Sequence, residues 1–164
     1  MAQVVLSQGE KLYIVHAVED DCRVDGRRCG EARRMQLETN VTANCQGSSH
    51  VRIGSTDLLI GIKVQVEEPD QDFPDQGKVE FSADCSANAS PVFEGRGGEE
   101  IVDELIAILD ESFTPCLDLK VLSLIPGKSC WTVYVDILIL EFGSRPSLFD
   151  AAGIGIIAAL RDTK

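Results

Sequence analysis

The sequence is short of several things, and each shortage closes off a class of function. Only two histidines accompany its six cysteines, at 22, 29, 45, 85, 116 and 130, and no two cysteines form a C-x-x-C pair. The ligand spacing of a zinc site is therefore absent. The opening, MAQVVLSQGEK, has no basic run followed by an apolar one, so no signal peptide is expected. Reduced thiols in a cytosolic or nuclear protein follow from that. The patterns Asn40-Val41-Thr42 and Asn88-Ala89-Ser90 then carry no glycosylation meaning. Long apolar runs are missing too. The longest, Val133 to Leu140 and Leu148 to Leu160, are too short to span a bilayer, and no membrane partner is expected.

Basic charge is the scarcest commodity. There are 15 Lys and Arg against 27 Asp and Glu, a formal net charge of −12. Phosphate affinity rests largely on Lys and Arg, so a chain this acidic is not expected to hold nucleic acid unaided. An RNA role would need basic partners or a local patch. One such patch is visible, because Arg23, Arg27, Arg28, Arg33 and Arg34 fall close together.

What is present fits one soluble domain: 164 residues, 44% hydrophobic and 26% charged. The stretch from Val79 to Leu109 organises the rest. Val79, Phe81, Ala83 and Cys85 alternate with polar residues, which predicts a strand with one buried face. Gly95, Gly97 and Gly98 mark a turn, and a helix is predicted from near Gly98. Its inner face is Ile101, Val102, Leu105, Ile106, Ile108 and Leu109, with Glu99, Glu100, Asp103, Glu104 and Asp110 outside. Arg96, just before that helix, is a candidate anion contact, since free N–H groups and the helix dipole point there. Glu99, Glu100 and Asp103 already satisfy the dipole and repel phosphate. The cradle is filled from within.

Elsewhere, Ser7 and Glu10 form a capping-box pattern opening a helix over Gln8 to Asp20, whose inner face is Leu12, Ile14, Val15 and Val18. Arg23 to Arg27, RVDGR, is a tight-turn sequence in which Asp25 caps the backbone, Gly26 turns it, and Arg23 and Arg27 pair with nearby carboxylates. Strands follow at Met35 to Val41, Val51 to Ile53 and Leu58 to Val66, with a turn at Gly54-Ser55-Thr56-Asp57. Glu67 to Gly77 is an acidic connector without the spacing of a calcium loop. Val121 to Ile125 is a short strand, and Cys130 to Glu141 is so continuously apolar that burial on both faces is expected. Asp136 inside it then requires a hydrogen-bonding partner. Leu148 to Leu160 is an apolar helix in which Gly153 and Gly155 allow close packing. Helix, four strands, helix, two strands, helix predicts an α+β fold with a mainly antiparallel sheet covered by helices on one face.

Several of these segments together resemble the RNase PH-like family, including its ring-forming members of the RNA exosome. They are RVDGR at 23–27, the turn at 54–57, FSADCSA at 81–87, FEGRGG at 93–98, CWTVYVD at 130–136 and LFDA at 148–151. The resemblance covers nearly the whole chain. It implies a ribosomal protein S5 domain 2-like fold, with residues 1–164 forming domain 1. It implies partnership with other RNase PH-like exosome subunits, as a heterodimer and a six-membered ring, with RNA reached through the assembled complex. Work in the nucleus, nucleolus and cytoplasm, on RNA processing and decay including rRNA maturation, is implied as well. No cofactor is implied.

Family members continue past the equivalent of Leu160, and the aspartates that catalyse phosphorolysis lie in that further part. Active relatives hold phosphate through a Gly-Arg before the central helix, matched by Arg96, and through a Gly-Thr/Ser-Arg turn, matched by Gly143-Ser144-Arg145. They also carry arginines along the central helix, whereas residues 98–113 here contain no Lys or Arg. Pro146 removes a further N–H. Phosphoryl transfer relies on positioning and positive charge. A non-catalytic structural subunit is therefore expected, with Arg96 and Arg145 as candidate RNA or phosphate contacts. The alternatives are a phosphate-dependent 3'-to-5' exoribonuclease and a truncated product competing for a ring partner.

Overall fold

A computed structural model describes residues 6–86, 89 and 98–164. The chain divides into two compact units, residues 1–34 and 35–164. The first holds helix α1, Gln8–Glu19, which ends one residue before the predicted boundary. Its capping box forms as the sequence predicts: Ser7 Oγ accepts from the Glu10 N–H at 3.3 Å, and the Ser7 N–H donates to Glu10 Oε2 at 2.7 Å. That bond holds the Glu10 carboxyl below its ordinary range. Among the described residues, the predicted inner face is largely uncovered, with only Ile14 half-buried. No residue of α1 is buried, and Leu12, Val15 and Val18 are all more than half exposed.

The second unit is a six-stranded sheet with helices on one side. Strands β1 (Met35–Thr39), β2 (Gly47–Ile53) and β3 (Thr56–Glu67) lead into β4 (Lys78–Cys85). After α2 (Glu99–Phe113) come two short 3-10 turns, then β5 (Ser123–Ile125), β6 (Ser129–Glu141) and α3 (Arg145–Asp162). This is the predicted succession of elements. The strand order is β1-β2-β3-β6-β4, with β5 pairing off β6. All pairs are antiparallel except β4 with β6, whose parallel pairing the crossover through α2 permits.

Alternation explains the core. Leu58, Ile60 and Ile62 of β3 and Val135, Ile137 and Ile139 of β6 point to one side, where they meet Ile101, Leu105 and Leu109 of α2 and Leu148, Ala152 and Ile156 of α3. The α2 residues stand four apart, so the buried stripe is narrower than predicted, and Ile108 is left 37% exposed. Gly155 lets α3 lie on the sheet. A Cβ there would press on the Ile60 side chain and stand 2.8 Å from Val51 Cγ2, while the Ser49 hydroxyl donates to the Gly155 carbonyl at 2.7 Å. Gly153 faces open space, contrary to its predicted packing role.

The expected two-sided burial of β6 holds at its start and fails further along. Both helices pack on one side of the sheet, and on the other side Cys130 and Thr132 are fully buried while the later residues stay open. Asp136 is half exposed, and Leu138 is 38% exposed. Asp136 meets its need for partners there, accepting from Ser82 Oγ at 2.6 Å and lying 3.9 Å from Lys63 Nζ. Asp136 is therefore not a buried carboxylate.

Candidate anion and RNA interface

One end of the sheet gathers the features that could hold an anion. The turn between β2 and β3, the last residues of β6 and the N-terminus of α3 meet there. The Gly143 N–H donates to Thr56 Oγ1 at 3.3 Å, and a side chain at Gly143 would collide with Ser55. The C-terminal end of β4 and the start of α2 share a shallow cleft lined by Asp84, Cys85, Gly98, Glu99 and Asp103. Partial burial pushes the Cys85 thiol up from its ordinary range, so it stays protonated near neutrality.

The electrostatics of this end are matched internally. Arg145 is the first residue of α3, with Pro146 behind it, and its Nη1 is bound by Glu104 of α2. Arg52 of β2 donates to Glu141 Oε2 at 3.1 Å and lies 3.9 Å from Asp57. His50 Nε2 sits 2.5 Å from Asp57 Oδ1. Asp57 is 9% exposed, and both basic groups converge on it. The N-terminus of α2 has no side-chain cap, but Glu99 and Glu100 fill its first turn. Each of these basic side chains therefore already faces a carboxylate, and the arrangement offers little to a transferring phosphoryl group.

Of the residues singled out in the sequence, Arg145 lies in this end and Arg96 lies outside the described residues. Arg23, Asp25, Gly26 and Arg27 lie in the first unit, where they form one turn. Gly26 takes φ +79°, a conformation that favours glycine. Arg27 Nε donates to Asp25 Oδ2 at 2.9 Å and Arg27 Nη1 to the Glu31 carbonyl at 2.5 Å. Arg23 Nη2 donates to the Cys29 carbonyl at 2.5 Å. The Arg27 hydrogen bond holds the Asp25 carboxyl below its usual value. Sequence reasoning missed Glu104 and the His50, Arg52 and Asp57 group. Arg52 opposite Asp57 is readable from a hairpin turning at Gly54-Ser55, but no local signal joins Glu104 to Arg145.

The profile of the 3' exoribonuclease family, domain 1, matches residues 31–164. The chain belongs to this family. Within the 3' exoribonuclease family it is 35% identical over 154 residues to the exosome complex component Rrp42 of Thermococcus kodakarensis, covering 93% of this chain and 56% of the relative. It is 33% identical over 166 residues to the Rrp42 of Methanocella arvoryzae, covering all of this chain and 63% of the relative. Among solved structures it resembles a chain of the Archaeoglobus fulgidus exosome with RNA bound to the active site. The TM-score is 0.82 at 34% identity, over 93% of this chain and 60% of that one. Rice Rrp46 shares the fold, with TM-score 0.60 at 18% identity, over 86% of this chain and 61% of that one. The chain thus spans less than two thirds of the length of the relatives it matches.

Proposed function

We propose that this chain is a structural, non-catalytic subunit of an RNA exosome ring. It joins other RNase PH-like subunits and supports 3'-to-5' RNA processing and decay, rRNA maturation included, in the nucleus, nucleolus and cytoplasm. The relatives named Rrp42 supply the ring context. The observation that carries the non-catalytic part is the Glu104 carboxylate on Arg145, which takes up the arginine that a phosphate would need. In such a subunit RNA is held by the assembly, because a net charge of −12 works against phosphate contacts.

The test is release of nucleoside diphosphates from a labelled RNA in the presence of inorganic phosphate. The chain alone should release none. In a reconstituted ring, Arg145→Ala and Arg96→Ala in this chain should leave the rate unchanged. Phosphate-dependent release by the chain alone, lost in either variant, would establish the exoribonuclease reading instead.

A further inference from the structure

We propose that β1 is the seam at which this chain receives a neighbouring RNase PH-like subunit, whose own edge strand adds along Met35–Thr39. This rests on the ring reading above and goes on to name the surface.

The sheet order leaves β1 at an end, paired to β2 from Met35 opposite Ile53 to Thr39 opposite Ser49. No other strand pairs with it among the described residues. Its outward backbone groups are thus available as a template. The side chains are also uncovered. Register places Met35, Leu37 and Thr39 on the helix side of the sheet, because their partners Ile53, Val51 and Ser49 lie there. Leu37 is nevertheless 42% exposed, while Val51 directly opposite is fully buried. The cause is where α3 lies. Gly155 and Ala159 sit over Ser49 and Gly47 of β2, so α3 is centred on β2 and reaches β1 only marginally.

Free edges are normally blunted by lysine, proline or a bulge. Residues 35–39, MQLET, contain no lysine or proline, and their pairing with β2 runs without a break in register. The opposite edge differs. On β4 the exposed residues are Glu80, Ser82 and Asp84, and its helix-side residues are partly covered. Both edges carry acid on the outer face, Glu38 on β1 and Glu80 and Asp84 on β4. On the helix side, however, Met35 and Leu37 of β1 are exposed whereas Val79 and Phe81 of β4 are partly covered, which marks β1 as the strand open to addition.

Charge selects the occupant. Residues 1–34 contain six acidic and six basic side chains, so the whole net charge of −12 belongs to the unit that carries β1. Two copies of that unit repel each other, which disfavours self-pairing. The fitting partner is a different, more basic subunit. Its edge strand offers apolar side chains against Met35 and Leu37 and a cation near Glu38.

The experiment mixes this chain with each purified RNase PH-like ring subunit of the same organism. Amide hydrogen exchange is followed in residues 35–39, together with affinity for the partner. In the complex these amides should exchange about tenfold more slowly or better. Leu37→Lys should weaken the complex by about tenfold or more without lowering the melting temperature of the chain alone. Phe73→Lys, on the exposed connector between β3 and β4, should leave affinity unchanged. A complex that forms with residues 35–39 unprotected, or with Leu37→Lys at full affinity, would overturn the seam while leaving the ring reading intact. Absence of a complex with every ring subunit would overturn both. Protection of 35–39 in a homodimer of this chain would overturn the choice of a basic neighbour.

Discussion

Arg145 at the start of α3 is ion-paired to Glu104 on α2, forty-one residues earlier in the chain. The pair ties the two helices of the cover together at the end of the sheet that holds the candidate anion contacts. Both side chains are more than a third exposed, so the attraction is screened. Glu104→Gln should therefore destabilise the chain by about 0.2–1 kcal/mol, read from urea unfolding. A larger loss would mean that the pair has a structural weight its exposure does not suggest.

The two α3 glycines should separate cleanly. Gly155→Ala forces a methyl against Ile60 and Val51 and should cost about 1–3 kcal/mol. Gly153→Ala meets open space and removes a flexible helix residue, so it should stabilise by about 0.4–1 kcal/mol. Thermal unfolding of the two variants against the wild type decides it.

The turn at Arg23–Arg27 should respond to acid. Asp25 is more acidic in the folded chain than its ordinary value of 3.8, because Arg27 binds its carboxylate. Its contribution is present above that ordinary value and is lost as pH falls through the lowered one. Arg27→Ala should remove this acid dependence and speed proteolysis between residues 20 and 34. RNA binding by the assembled ring should be unchanged in this variant. Unaltered proteolysis together with weakened, salt-dependent RNA binding would reassign Arg27 to the RNA surface.

Tyr134 donates to Glu67 Oε1 at 2.8 Å, and the phenol is pushed up to about 12 because ionising it would break that bond and face the carboxylate. A raised value favours the protonated form in the folded chain. The stability it brings is full below pH 10 and fades as pH rises towards about 12. The sequence contains only one other tyrosine, Tyr13, so absorbance of tyrosinate resolves the titration. Tyr134→Phe should abolish the component near 12.

Much of this was legible in the sequence because it is local. Period-two alternation gave β3 and β4, the Ser7 and Glu10 spacing gave the start of α1, and small residues in an apolar run gave the packing of α3 through Gly155. Errors arose where local pattern had to stand for tertiary cover. Cys130 to Glu141 is apolar enough for a strand buried on both sides, yet the helices occupy one side, so Asp136 and Leu138 face outward. The apolar stripe of α1 has the spacing of an inner face, but nothing in that spacing says whether anything covers it. At the candidate site Arg145 is visible in the sequence, whereas Glu104, the carboxylate that occupies it, comes from another helix forty-one residues away.

Native mass spectrometry of this chain, alone and mixed with purified RNase PH-like exosome subunits of the same organism, tests the central claim most directly. The account predicts a one-to-one heterodimer or larger ring with at least one of them. A chain that stays alone in every mixture would contradict it.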